Sequence, residues 1–84
     1  MEKKQKSYGQ QIVVLTAGFV YVGDVERNGD MLFITRARNI RRWGTTKGLG
    51  ELCNGPLETT ILDECGDVIA PMNSVIHLMQ CTGF

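Results

Sequence analysis

The residues best suited to binding chemistry lie in one stretch of the chain, TRARNIRRWGTTKG, at positions 35–48. It contains four arginines, one lysine and the only tryptophan of the protein. Arginine presents a planar fork of donors that suits bidentate contact with phosphate or carboxylate groups. An indole offers a flat surface on which a base can stack, which is worth about 1–3 kcal/mol per base. The stretch therefore predicts binding of an anionic, nucleotide-like ligand.

Within this stretch the binding roles are divided by residue type. Side chains alternate along a strand, so Arg36 and Arg38 are expected on one face. The basic side chains are expected to meet phosphates and Trp43 to stack. Gly44 is expected to turn the chain so that backbone N–H groups and threonine hydroxyls face the anion. The predicted binding residues are Arg36, Arg38, Arg41, Arg42, Trp43, Thr45, Thr46 and Lys47.

The charged residues are segregated along a chain whose formal net charge is zero. Residues 31–50 carry five basic residues and no acidic one, and residues 51–84 carry five acidic residues and no basic one. Three interpretations are open: an anion-binding face, pairing of basic and acidic edges between copies of the chain, and cross-strand ion pairs within one sheet. For the basic stretch itself, the alternative to ligand binding is that Trp43 is a core residue near the helix and the arginines are exposed strand-edge charges that discourage aggregation.

No catalytic constellation, metal site or cofactor motif is predicted. His77 is the only histidine, and we interpret it as a structural residue on a half-buried strand. Cys81 lies four residues away, too far along a strand for a direct hydrogen bond. The three cysteines, Cys53, Cys65 and Cys81, show no C-x-x-C spacing, so free thiols in a reducing cytoplasm are expected. We therefore predict a protein that is not an enzyme.

The length of 84 residues predicts a single domain. A flexible basic tail is expected over residues 1–9 and a barrel-like domain over residues 10–84. The first residues lack the apolar region of a secretory signal. The apolar runs are far shorter than the roughly 20 residues needed to cross a bilayer, so no membrane association is expected. Because so short a chain buries little surface, a homo-oligomer is expected.

The pattern of short apolar runs and turn residues predicts mostly strands. Gly23 indicates a bulge or bend, Asn28-Gly29 a two-residue type I′ hairpin turn, and Glu64–Asp67 another turn. Leu49 and Leu52 are expected to face inward from a short helix. The sequence therefore predicts an all-β or β-rich fold, a small SH3-like or Sm-like strongly bent barrel with one short helix around residues 47–54.

Three segments carry a resemblance to a known family: AGFVYVGDVE, ARNIRRWGTTKGLGEL and TILDECGDVIAP. Together they make the chain from Ile12 to Leu78 similar to a family of small, uncharacterised domains encoded by phages and prophages. The resemblance brings no catalytic residue. It implies a small binder or inhibitor of a host system in the host bacterial cytoplasm. Several unrelated phage proteins are oligomeric sponges for nucleotide immune signals, and a pocket of arginine, threonine and an aromatic suits such a ligand.

The predicted function is therefore non-covalent capture of a nucleotide-like anion, such as a cyclic oligonucleotide immune signal, by an oligomeric sponge that counters host defence. One alternative is a module that binds single-stranded nucleic acid or RNA, although zero net charge gives weak long-range attraction to a polyanion. The other is an inhibitor or adaptor that uses the basic face against a host protein.

Overall fold

The computed structural model describes residues 5–84, which form one five-stranded antiparallel sheet with strand order β4-β3-β2-β1-β5. Its strands are β1 (Gln5–Leu15), β2 (Val20–Asn28), β3 (Met31–Arg42), β4 (Ile61–Pro71) and β5 (Val75–Gln80). Short 3-10 helices span Thr16–Gly18, Leu49–Asn54 and Met72–Ser74. The predicted small, β-rich, barrel-like fold with one short helix around residues 47–54 is confirmed. Within residues 5–84 no helix is long and apolar enough to cross a membrane.

Apolar side chains cover both faces of the sheet, because neighbouring residues of a strand point to opposite sides. One group, the Leu32 cluster, has its buried members on β1, β2, β3 and β4, and residues of β5 and of the 3-10 helix Met72–Ser74 pack against it. The other, the Leu52 cluster, is covered by the long connection between β3 and β4. The buried members of the Leu32 cluster are Val13, Leu15, Val25, Leu32, Ile34, Ala37 and Ala70. Those of the Leu52 cluster are Ile12, Val20, Val22, Ile40, Leu49, Leu52 and Cys81.

The sheet is irregular where β2, β3 and β4 run side by side. The register shifts between Val22 and Asp24 on β2, and again on β3 just after Ile34. Gly23 is buried at this level, and a Cβ there would lie 2.8 Å from Ile34 Cγ2 and 2.9 Å from the Thr35 carbonyl oxygen. Only glycine permits so close an approach of two strands, so the predicted irregularity at Gly23 is confirmed.

The predicted flexible tail is wrong for residues 5–9, which belong to β1. They pair with the far end of β2, as in the register Gln5 opposite Asn28 and Ser7 opposite Glu26. Because the β2–β3 hairpin is long, β2 extends far enough to pair with this polar stretch. The local composition of residues 5–9 gives no sign of this pairing. The rest of the predicted tail, residues 1–4, lies outside the described residues.

The predicted turn at Glu64–Asp67 is also wrong, because β4 is continuous through these residues. Arg38 pairs with Glu64 and Ala37 with Gly66, so the pairing of β4 with β3 continues through this segment. The register shifts between these two pairs without interrupting the strand. A glycine among polar residues has the composition of a turn, but here pairing with a long neighbouring strand decides the conformation.

The β2–β3 hairpin turn is displaced by one residue from its predicted position. Asn28 pairs with Met31, so the two loop residues are Gly29 and Asp30. Of these two, only Gly29 has a positive φ, of 64°. A type I′ turn requires positive φ at both positions, whereas type II′ requires it at the first. The turn therefore fits type II′.

Burial of Cys81 makes the stability of the domain depend on pH. This thiol is 4% exposed, and its burial, with a smaller effect of Cys53, raises its pKa from the ordinary value of 9.0 to about 11. The unfolded chain releases the proton at lower pH than the folded one does. The stabilisation is therefore fully present below pH 9 and is lost as the pH rises towards 11.

We expect the free energy of unfolding to fall by about 1–3 kcal/mol across that range because of this thiol. Urea denaturation at a series of pH values measures the slope. In the Cys81→Ala variant the free energy of unfolding should decrease by that much less over the same pH range, whatever the stability of the variant at neutral pH. Equal slopes for the two proteins would contradict the assignment to Cys81.

Candidate functional site

Seven of the eight predicted binding residues lie in two places rather than one, and the eighth, Arg41, lies on β3 and pairs with Asp63. Arg36 and Arg38 line a concave region on the irregular part of the sheet, which we call the arginine cleft. Trp43 lies in a segment that begins at the end of β3, residues 42–47, which we call the Trp43 loop. At about 3.3 Å per residue, Arg38 and Trp43 are roughly 16 Å apart along the chain. One chain therefore does not gather all eight residues around one small ligand.

The arginine cleft has a volume of about 530 Å³, which is in the usual range for ligand pockets. It is lined by two basic residues, Arg36 and Arg38, and by two acidic ones, Asp24 and Glu64. The polar and aromatic side chains that line it are Gln10, Asp24, Arg36, Arg38, Glu64 and Phe84.

Arg36 is held in an unusual backbone conformation. Its φ of 53° is in the left-handed region, which costs a residue with a Cβ roughly 1–2 kcal/mol. The backbone N–H of Arg36 donates to Asp67 Oδ1 at 3.0 Å, which fixes this conformation. Its guanidinium lies 2.5 Å from Asp24 Oδ2, with 82% of the Arg36 side chain exposed. An ion pair so exposed is worth about 0–1 kcal/mol, so a ligand anion can replace the aspartate at little cost.

Arg38 connects the cleft to the end of the described chain. Its Nη2 donates to the main-chain oxygen of Phe84 at 2.6 Å, and its guanidinium lies 5.9 Å from the centre of the Phe84 ring. The Phe84 N–H donates to Gln10 Oε1 at 3.3 Å. Sequence reasoning missed Phe84, because 46 residues separate it from Arg38 and no local pattern connects them.

The Trp43 loop holds its tryptophan at the surface on a fixed backbone. The indole is 41% exposed, so the interpretation of Trp43 as a core residue is wrong. The Thr60 hydroxyl donates to the Trp43 carbonyl at 2.7 Å, and the Thr59 hydroxyl donates to the Gly44 carbonyl at 3.2 Å. The connection that covers the Leu52 cluster thus returns to fix the position of Trp43.

The donors that follow Trp43 already have an acceptor within the chain. Glu51 Oε2 accepts the Thr46 N–H at 3.2 Å, the Thr46 hydroxyl at 3.1 Å and also the Lys47 N–H. These donors suit an anion, as predicted, but the anion they bind is the carboxylate of Glu51. Thr45, which lies between Trp43 and Thr46 in the sequence, is half-buried.

The basic side chains divide into paired and unpaired groups. Arg41 Nε lies 2.7 Å from Asp63 Oδ2, and Arg36 pairs with Asp24, so the cross-strand interpretation is confirmed for these two. The Arg42 guanidinium and the Lys47 ammonium form no ion pair or hydrogen bond within residues 5–84, and both residues are exposed. The Trp43 loop therefore presents an aromatic with two uncompensated charges.

Gly44 is the residue on which the shape of the Trp43 loop depends. It has a φ of 70°, and a Cβ there would lie against Thr59 Oγ1 and 2.8 Å from the Thr59 carbonyl carbon. We expect Gly44→Ala to lower the free energy of unfolding by about 2 kcal/mol, since it combines a left-handed alanine with a steric clash.

The matched control is Gly50→Ala in the same connection, where a Cβ would meet no atom within 4 Å. This change should leave stability within about 1 kcal/mol of the wild type. Urea denaturation compares the two variants. Equal effects would show that Gly44 is not under the constraint described.

No family model, curated protein or solved structure matches the chain. What the site can do therefore follows from its own chemistry. Guanidinium groups on one side of the cleft can bind phosphate oxygens, and an aromatic ring beside them can stack on a base. Carboxylate and amide oxygens of the cleft can accept hydrogen bonds from N–H groups of a base.

Proposed function

We propose that this protein binds a small nucleotide-like anion, such as a cyclic dinucleotide, without chemical conversion, and that the arginine cleft is the site. The observation that carries the proposal is the meeting of Arg36, Arg38 and the Phe84 ring in one cleft of about 530 Å³. A nucleotide needs both a cationic region for phosphate and a flat surface for the base, and the cleft offers both.

The phosphate is assigned to the two arginines. Arg36 can exchange its exposed partner Asp24 for a phosphodiester, whose two non-bridging oxygens accept from the arginine fork as carboxylate oxygens do. Arg38 donates one of its N–H groups to the oxygen of Phe84, which leaves the others of its five for a ligand. Two adjacent guanidinium forks match the spread of oxygens on a phosphodiester.

The base is assigned to the region around Phe84. The ring lies beside the Arg38 guanidinium at 5.9 Å, and both are flat groups on which an aromatic base can stack. Glu64, Asp24 and the Gln10 amide line the same cleft. Their oxygens can accept the N–H groups of a base, which gives a preference for a nucleotide over simple phosphate.

The balance of charge in the cleft favours a small ligand over a polynucleotide. The two arginines are matched by Asp24 and Glu64, so the cleft has no excess positive charge. A long nucleic acid is attracted mainly by an excess of lysine and arginine along its phosphates. A compact ligand that uses donors and acceptors together is a better match.

The resemblance to phage-encoded domains supports a biological role for such capture. A binder without catalysis can lower the concentration of a signalling nucleotide only if it is abundant and binds tightly. We propose that the protein is a homo-oligomeric sponge that sequesters a nucleotide immune signal in the host cytoplasm and so counters host defence.

Calorimetric titration of the full chain with cyclic di-AMP tests the proposal, with oligonucleotides of increasing length as a comparison. Saturable binding at fixed stoichiometry and a raised melting temperature are expected. Affinity that grows with oligonucleotide length and falls steeply with salt would instead indicate a nucleic-acid-binding module. No nucleotide binding, with specific co-purification of one host protein, would indicate an inhibitor or adaptor.

A further inference from the structure

The Trp43 loop has the features of an interaction surface, because its tryptophan is exposed and is not covered by the rest of the described chain. Trp43 is 41% exposed, and hydrogen bonds from Thr59 and Thr60 fix the backbone beneath it. Rigid, exposed tryptophan and arginine side chains are characteristic of the residues that dominate protein interfaces, because they add contact area at low entropic cost. The backbone at Trp43 and Gly44 is thus held by hydrogen bonds within the chain.

The charges that remain unpaired within the chain indicate what the partner is. Arg42 and Lys47 on the Trp43 loop have no ion-pair partner in the described part of the chain, and neither has Glu64. Glu64 lies on β4, opposite Arg38 in the ladder, and lines the arginine cleft. The protein therefore presents an unpaired basic surface at one place and an unpaired acidic residue at another.

The acidic strand β4 is an edge of the sheet, so its outer backbone groups are open to another chain. Ile69 on the same strand is 58% exposed. Pairing of two β4 edges would place their carboxylates close to each other, which is unfavourable. The basic Trp43 loop of another copy meets this edge with complementary charge.

We propose that the Trp43 loop of one copy binds the β4 edge of a second copy, where it covers the arginine cleft and brings its indole to the bound base. The covering of the cleft rests on the proposed function, whereas the contact between copies does not. Arg42 and Lys47 then pair with Glu64, which removes an acidic charge from the cleft and strengthens its attraction for an anion. The base lies between the Phe84 ring of one copy and Trp43 of the other.

The contact between copies is tested first, without ligand, by sedimentation velocity of the full chain over a range of concentrations. Trp43→Ala should weaken self-association at least about tenfold, because it removes a central aromatic contact. Phe19→Ala is the control, because Phe19 is a 54% exposed aromatic in a different turn, and it should have no effect. A wild type that stays monomeric, or equal effects of the two changes, would overturn the proposal.

A charge exchange identifies the surfaces that meet. Arg42→Glu and Glu64→Arg should each weaken association, and the double variant R42E/E64R should restore it, because the ion pair is reversed rather than lost. A double variant that is no better than the single variants would show that these residues do not meet between copies.

Mixing two defective variants then tests the shared site with cyclic di-AMP as probe. Arg38→Ala damages the cleft and Trp43→Ala damages the loop, so each alone should bind poorly. Their mixture should regain binding, since a cleft from one variant meets a loop from the other. If the wild type binds the probe but the mixture regains nothing, the shared site is wrong and the proposed function stands. If association behaves as expected but the wild type binds no nucleotide, the proposed function fails and the interface stands.

Discussion

Arg38→Ala is expected to weaken the binding of cyclic di-AMP by about 10- to 100-fold, since a hydrogen bond to a charged group contributes about 1.5–3 kcal/mol. The Arg38 guanidinium lies beside the Phe84 ring and also has N–H groups left for a phosphate. Its removal therefore affects both halves of the proposed ligand site. Isothermal titration calorimetry at constant salt measures the change.

Two further variants show whether the loss is specific to the arginine fork in the cleft. Arg38→Lys keeps the charge but loses the planar pair of donors, so its affinity should be intermediate. Arg27→Ala removes an arginine of β2 that hydrogen-bonds to the Gly29 carbonyl and does not line the cleft. It should bind like the wild type, and a loss equal to that of Arg38→Ala would contradict the assigned site.

Leu52→Ala is expected to produce the largest loss of stability, about 2–5 kcal/mol, because it leaves a cavity in a closely packed cluster. Leu52 is completely buried and attaches the 3-10 helix Leu49–Asn54 to the sheet. A domain of this size has a total stability of only about 5–15 kcal/mol, so the variant loses a large share of it. Urea denaturation measures the change in free energy of unfolding.

Glu58→Ala is the matched control, because Glu58 is an exposed residue of the same β3–β4 connection. It should change stability by less than about 0.5 kcal/mol. The two results together test whether packing of the β3–β4 connection on the sheet stabilises the domain. A Leu52→Ala protein as stable as Glu58→Ala would contradict the account of the Leu52 cluster.

The parts of the fold that depend on local pattern could be predicted from the sequence. Alternating apolar residues gave the strands, Gly23 gave the irregularity of the sheet, and Leu49 and Leu52 gave the short helix with its buried side. The hairpin turn at Asn28-Gly29 was displaced by one residue. The larger errors concern segments whose conformation depends on a distant partner. Gln5–Gly9 forms a strand because it pairs with β2. Glu64–Asp67 continues β4 because this segment pairs with β3.

The candidate site was predictable only in part, for the same physical reason. Arg36 and Arg38 both line the cleft, but the register of β3 shifts on each side of Ala37, so alternation alone does not place them there. Their partners lie far along the chain: 12 residues separate Arg36 from Asp24, and 46 separate Arg38 from Phe84. Spacing cannot reveal such pairs, so the sequence neither divided the basic stretch into a cleft and a loop nor identified the aromatic of the cleft.

The most direct test of the central claim is to identify what the arginine cleft retains. Wild-type protein and the Arg38→Ala variant are incubated with a mixture of mononucleotides, linear dinucleotides and cyclic dinucleotides, separated from free ligand by gel filtration, denatured and analysed by mass spectrometry. We expect one class of nucleotide to be released from the wild type in a fixed ratio to protein and to be absent from the variant. Release of no nucleotide from the wild type, or of equal amounts from both proteins, would contradict the claim that this cleft captures a nucleotide-like anion.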